Sequence, residues 1–172
     1  NIAIGSGAMD GTGGDVNDAP ASIDNVFVGY DAGGGDWEDD EDSNYNVGIG
    51  NYVMDAAMDG AIQNTALGHK ALTAITTGDT NIGIGYETGE SLSTGSQNVF
   101  IGGGAGKGSA DVDKAVIIGQ SAAKDGNMTD AADGTIAIGY ESLKALISGS
   151  MNTAIGYQAA AELTNNNANT AI

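Results

Sequence analysis

Cysteine and arginine are absent from this 172-residue chain, and proline occurs once. Without cysteine there is no disulfide, no thiol nucleophile and no Cys/His zinc site. Aromatic residues are few: six Tyr, two Phe and one Trp. A thick core resting on large aromatic side chains is therefore not available. Positive charge is also scarce. Five Lys against 23 Asp and Glu leave a net charge of -18, and all five lysines follow residue 69. Such a chain repels a phosphate backbone, which argues against nucleic-acid binding. It repels anionic membrane surfaces for the same reason. No apolar run approaches the roughly 20 residues of a membrane helix, so membrane insertion is not expected. No signal peptide is legible. The sequence opens and closes inside a repeat, so residues 1–172 read as a single repeat array within a longer polypeptide.

What is abundant is glycine, with 29 residues, together with Ala, Ile and Val. Small and β-branched residues suit thin, closely stacked strands. They recur in one unit, Asn-x-x-Ile/Val/Leu-Gly. Its asparagines are Asn1, Asn25, Asn46, Asn64, Asn81, Asn98, Asn152 and Asn169. Its closing glycines are Gly5, Gly29, Gly50, Gly68, Gly85, Gly102, Gly119, Gly139 and Gly156. Two units, closing at Gly119 and Gly139, carry Ala115 and Thr135 in place of Asn. The glycine spacings are 24, 21, 18, 17, 17, 17, 20 and 17, a base period of 17 with insertions. The larger insertions lie near 10–24, 33–45 and 124–134, each before the next unit. They should leave the rod at one edge, where solenoids usually place binding loops.

Ala usually stands three residues after the glycine, as at Ala8, Ala32, Ala71, Ala105, Ala122 and Ala159. A turn such as Thr77-Gly78-Asp79 then leads to the next Asn. A 17-residue unit has room for two short strands and two turns, and is too short for a βαβ unit. The pattern predicts an all-β parallel β-solenoid of about ten coils. Coils about 4.8 Å apart would make a rod on the order of 50 Å and stack the asparagines into an amide ladder. Within each strand, residues 2 and 4 of the unit share one face and the small residue 3 takes the other. Both faces are apolar, so both should be covered. One can line the coil; the other calls for neighbouring chains.

Asn152–Ala159 reads Asn-Thr-Ala-Ile-Gly-Tyr-Gln-Ala. The units resemble the repeats of phage tail-fibre-like proteins carrying that motif, and are similar to the head repeats of trimeric autotransporter adhesins. The resemblance covers essentially the whole chain. It implies a left-handed parallel β-roll, a homotrimer, an extracellular location on a virion or bacterial surface, and a role in attachment. The adhesin repeat is shorter, near 14 residues, and neither pattern includes the acidic insertions. The first functional expectation is a non-enzymatic attachment segment of a phage tail fibre, with a host glycan or protein as receptor. The alternatives are the head or stalk of a bacterial trimeric adhesin, or a glycan-cleaving tailspike.

The acidic run Asp36-Trp37-Glu38-Asp39-Asp40-Glu41-Asp42 stands outside the repeat. Its carboxylates Asp36, Glu38, Asp39, Asp40, Glu41 and Asp42 offer oxygen ligands for Ca²⁺. They lack the order of an EF-hand loop, and a solvated loop explains them more simply. No cofactor is required by the sequence. Trp37, the only Trp, reads either as a receptor contact or as a pin holding the loop to the rod. Asp125, Asp130 and Asp133 give the third insertion its own oxygen ligands, and Asn127-Met128-Thr129 is formally a glycosylation sequon. Gly102–Gly108 superficially suggests a phosphate loop, but Lys107 is followed by Gly108 rather than Ser or Thr. The lone His69 occupies the slot held by Tyr30, Tyr86, Tyr140 and Tyr157 elsewhere. It leaves no Ser-His-Asp or Cys-His set, and paired carboxylates without aromatic platforms are a poor glycosidase site. No catalytic residues are expected.

Overall fold

A computed structural model describes residues 1–11, 22–37 and 42–172. Every repeat unit forms one short strand: β1 (Ile2–Ile4), β2 (Val26–Val28), β3 (Val47–Ile49), β4 (Thr65–Leu67) and β5 (Ile82–Ile84). The series continues with β6 (Val99–Ile101), β7 (Val116–Ile118), β8 (Ile136–Ile138), β9 (Thr153–Ile155) and β10 (Thr170–Ala171). The ten strands form one parallel sheet in chain order, each paired with the next in strict register. This is an all-β solenoid of about eight turns. That is fewer than the ten coils expected from the repeat count.

Among the described residues only one strand forms per turn, not two. The stretch around the Ala half-motif is turn throughout. Its backbone alternates in hand. The residues two and four places after each repeat glycine have positive φ: Tyr52 and Met54, Lys70 and Leu72, Glu141 and Leu143. So does the residue before each Asn, as at Gln63, Thr80 and Gln97. For a residue with a Cβ, the left-handed conformation costs about 1–2 kcal/mol. Alternation still makes a ladder, because the amides point up and down the stack by turns. Lys70 N–H donates back to Asn51 C=O at 3.0 Å, and Leu72 N–H donates forward to Thr88 C=O at 2.9 Å. One such hydrogen bond contributes about 0.5–1.5 kcal/mol net, too little alone to hold the conformation. Burial supplies more, since the fourth residue drops its side chain into the core, as Met54, Leu72 and Leu143 do.

The core is one side chain thick. It lies between the inner face of the sheet and this turn ladder. The middle strand residue points inward: Phe27, Ala66, Phe100, Ile117, Ala137 and Ala154 are all at most 1% exposed. The flanking Ile and Val residues point outward. Volume is balanced across the coil. Phe27 and Phe100 face Gly33 and Gly106, where a Cβ would come within 3.0 Å of the ring. Gly83 and Gly89, in one turn, lie beneath Leu72 and Phe100 from the turns on either side. Large residues thus interdigitate with glycines along the axis as well as across it, as close packing demands.

The third insertion folds back onto this core. A short 3-10 turn, Asp130–Ala132, follows Thr129. Met128 and Ala132 are fully buried, while Asp125, Asn127 and Asp130 stay exposed. It does not simply leave the rod as an edge loop. Residues 12–21 and 38–41, from the other two insertions, lie outside the described residues.

Candidate functional site

The asparagine column is an internal brace. Asn46, Asn64, Asn81 and Asn98 are at most 1% exposed. The Oδ1 atoms of Asn46, Asn64 and Asn81 each accept from the Asn of the next turn twice, through backbone N–H and Nδ2. Asn81 N and Nδ2 both reach Asn64 Oδ1 at 3.0 Å. Each Nδ2 also donates to a carbonyl at the next corner, Asn81 to Gly95 and Asn64 to Gly78, both at 2.8 Å. The amide is fully used, as a buried polar group should be. Asn1 starts the ladder through Asn25, and Asn152 with Asn169 forms a second stretch. Between them, Ala115 N–H still finds Asn98 Oδ1 at 2.8 Å but passes nothing on. Thr135 turns its hydroxyl to Ala132 C=O instead, at 2.6 Å.

The glycine column serves the backbone. Gly5, Gly29, Gly50, Gly68, Gly85, Gly102, Gly119, Gly139 and Gly156 have φ between +127° and +149°. A Cβ on Gly68 would lie 2.4 Å from Gly85 O. Glycine is required by both the torsion and the contact.

Three surface features remain. The first is the outer sheet face, with two columns of β-branched and aliphatic side chains. Ile49, Leu67, Ile82, Ile84 and Ile155 are 37–47% exposed on it. The second is an aromatic column beside that face. Tyr30, Tyr52, His69 and Tyr86 follow one another at ring separations of 5.4, 5.7 and 5.5 Å. Tyr140 and Tyr157 stack at 5.3 Å further on. His69 therefore takes its place as a member of the Tyr column. The third is a charged pair of columns at the second and fifth residues after the glycine. Lys107 bonds Glu87 and lies 2.9 Å from Glu90, which is 3.6 Å from Lys70. Lys144 meets Glu141 at 3.1 Å and Asp125 at 3.6 Å. Lys107, engaged in this way, is no phosphate-loop lysine, and Gly102 is the repeat glycine. The Lys107 hydrogen bond, then that of the Tyr86 phenol, hold the Glu87 carboxyl below the usual range.

Of the acidic run, Asp36 and Asp42 are exposed, and Glu38, Asp39, Asp40 and Glu41 lie outside the described residues. Trp37 is 7% exposed and sits edge-on to Phe27 at 5.8 Å. Its ring belongs to the core, the pinning arrangement rather than an open contact. Asp133 Oδ1 accepts from Asp113 N–H at 2.8 Å and Asp125 faces Lys144, so these carboxylates do not converge. Among the described residues no three His, Cys, Asp or Glu side chains gather as a metal site. The aromatic column and the ion network were not foreseen as units. Their signal was present in the residues following each repeat glycine, once read down the stack. No protein-family model, curated protein or solved structure matches the chain.

Proposed function

We propose that this chain is a non-enzymatic attachment segment of an extracellular fibre, of phage tail-fibre type, built from three parallel copies packed through the outer sheet face. The observation that carries the trimer is that face: two columns, mostly Ile, Val and Leu with Thr65, Thr153 and Thr170 among them, left half-buried or exposed along the sheet. A continuous apolar stripe of this length marks an association surface. Identical stacked columns suit a second and third copy, since each turn presents the same residues at the same spacing. The tail-fibre setting and the left-handed coil rest on the repeat resemblance. The negative charge keeps the outside of such a rod soluble.

Light scattering on the purified chain tests the reading. A mass of three chains supports it, and a stable monomer overturns it. Ile82→Lys with Ile84→Lys places cations on the seam and should yield monomers that keep their β circular dichroism. Repeating the measurement with a calcium chelator tests the acidic run. A trimer lost on chelation would make Asp36–Asp42 a metal site holding the fibre together.

A further inference from the structure

The aromatic column is interrupted for two turns, at Gly103 and Gln120, between Tyr86 and Tyr140. Tyr86 stacks on His69 with only 12° between planes, so its opposite face looks along the axis toward the next turn. That turn carries Gly103 in the column, where a Cβ would meet nothing within 4 Å. Tyr86 is 58% exposed. The turn after it presents the exposed Gln120. Two turn spacings are about 9.6 Å. A flat ring in contact on both faces needs about 7–8 Å. Gly104 widens the opening sideways, with the stem of Lys124 3.6–3.8 Å from its would-be Cβ. Lys124 has no ion-pair partner among the described residues. Glu87, the neighbour of Tyr86 in the chain, is held by Lys107.

We propose that the space over Gly103, between Tyr86 and Gln120, is a binding slot for one pyranose ring of a glycan. The C–H face of a sugar packs on the electron-rich face of a phenol ring. Its hydroxyls need donors and acceptors around the edge, which the Gln120 amide, the Lys124 ammonium and the Glu87 carboxylate supply. A partner's aromatic side chain would fill the same thickness, but it would strand this polar rim. The slot deepens the attachment reading, on which its biological use rests, by naming the ligand class.

The test is saturation-transfer NMR from tyrosine ring protons of the full chain to N-acetyltryptophanamide and to four sugar probes. These are the methyl glycosides of glucose, galactose, mannose and N-acetylglucosamine. Transfer to at least one is expected, with a fall of fivefold or more in Gly103→Tyr. That variant fills the slot at a position with ordinary φ and open space, so it should fold and extend the column. Tyr86→Ala should lose the signal equally. No transfer to any glycoside, or undiminished transfer in Gly103→Tyr, overturns the proposal. Transfer only to N-acetyltryptophanamide also overturns it and reassigns the slot to a protein partner. Light scattering on the same samples separates a failed slot in an intact trimer from a failed trimer.

Discussion

The first three turns and the five that follow share one strand pattern among the described residues and differ in charge. In the early turns the second- and fifth-residue columns hold Asp10, Asp31 and Asp55, none of which forms an ion pair with a lysine among the described residues. Asp55 is pushed above the usual aspartate range, first by burial and then by Asp31 and Asp10. In the later turns the same columns carry both signs: Lys70, Glu87 with Glu90, Lys107, Lys124, and Glu141 with Lys144, and all of these but Lys124 form ion pairs among the described residues. A solenoid places like positions one coil apart, so a column of one sign repels along its length and a mixed column pairs. The strand register and glycine torsions do not change between the two regions. Charge decorates this rod; the backbone ladders and the thin core hold it.

The largest expected effect probes whether the two regions are alike where it matters. Gly29→Ala and Gly85→Ala should each cost about 4 kcal/mol or more, from the forbidden torsion and the clash with the next turn. Thermal unfolding followed by circular dichroism would show it. A mild effect in the early region alone would mean its turns are looser than the later ones. Next, Asn46→Ala and Asn81→Ala should each cost about 3 kcal/mol, because each strands a buried amide N–H and a buried carbonyl in the adjacent turn. Asn98→Ala should cost about 1 kcal/mol less, since Asn98 Oδ1 accepts only from Ala115 N–H. Equal losses at all three would remove the distinction between ladder interior and ladder end.

Smaller effects sharpen the charge contrast. Asp55→Asn should raise stability near neutral pH, and Lys107→Met should lower it, each by less than about 1 kcal/mol at these partly exposed sites. Their pH dependences should run in opposite directions. The raised Asp55 carboxyl takes up its proton more readily in the folded chain. Stability is therefore greatest below the unfolded aspartate pKa and is lost as pH rises through the folded one. The Glu87 contribution is full above the unfolded glutamate pKa and is lost as pH falls through its depressed folded value. Melting curves of both variants from about pH 3 to pH 7 should show Asp55→Asn gaining and Lys107→Met losing as pH rises. Parallel curves would mean neither column titrates as described.

The period, the parallel stacking of like strands and the asparagine ladder were legible because each depends on one residue type recurring at one interval. Asn81 needs only Asn64 and Asn98 at the same place in neighbouring turns, and the spacing of 17 says so. The second strand expected around the Ala half-motif was misread because positive φ leaves no mark when the residue is Lys70, Leu72 or Glu141 rather than glycine. The packed third insertion was hidden because Met128 and Ala132 reach the core from outside the repeat frame.

The sequence by itself determined the stacking: Asn and Gly at fixed places admit only like-on-like parallel turns, since the amide must pair and the glycine must touch its successor. Tertiary structure alone decided which face of each strand is inside. Alternation with apolar residues on both sides does not choose. The coil's width does, because a core one side chain deep accepts Ala66, Gly83 or Phe100 against a glycine. It turns the paired Ile and Val columns out, where they remain to be covered.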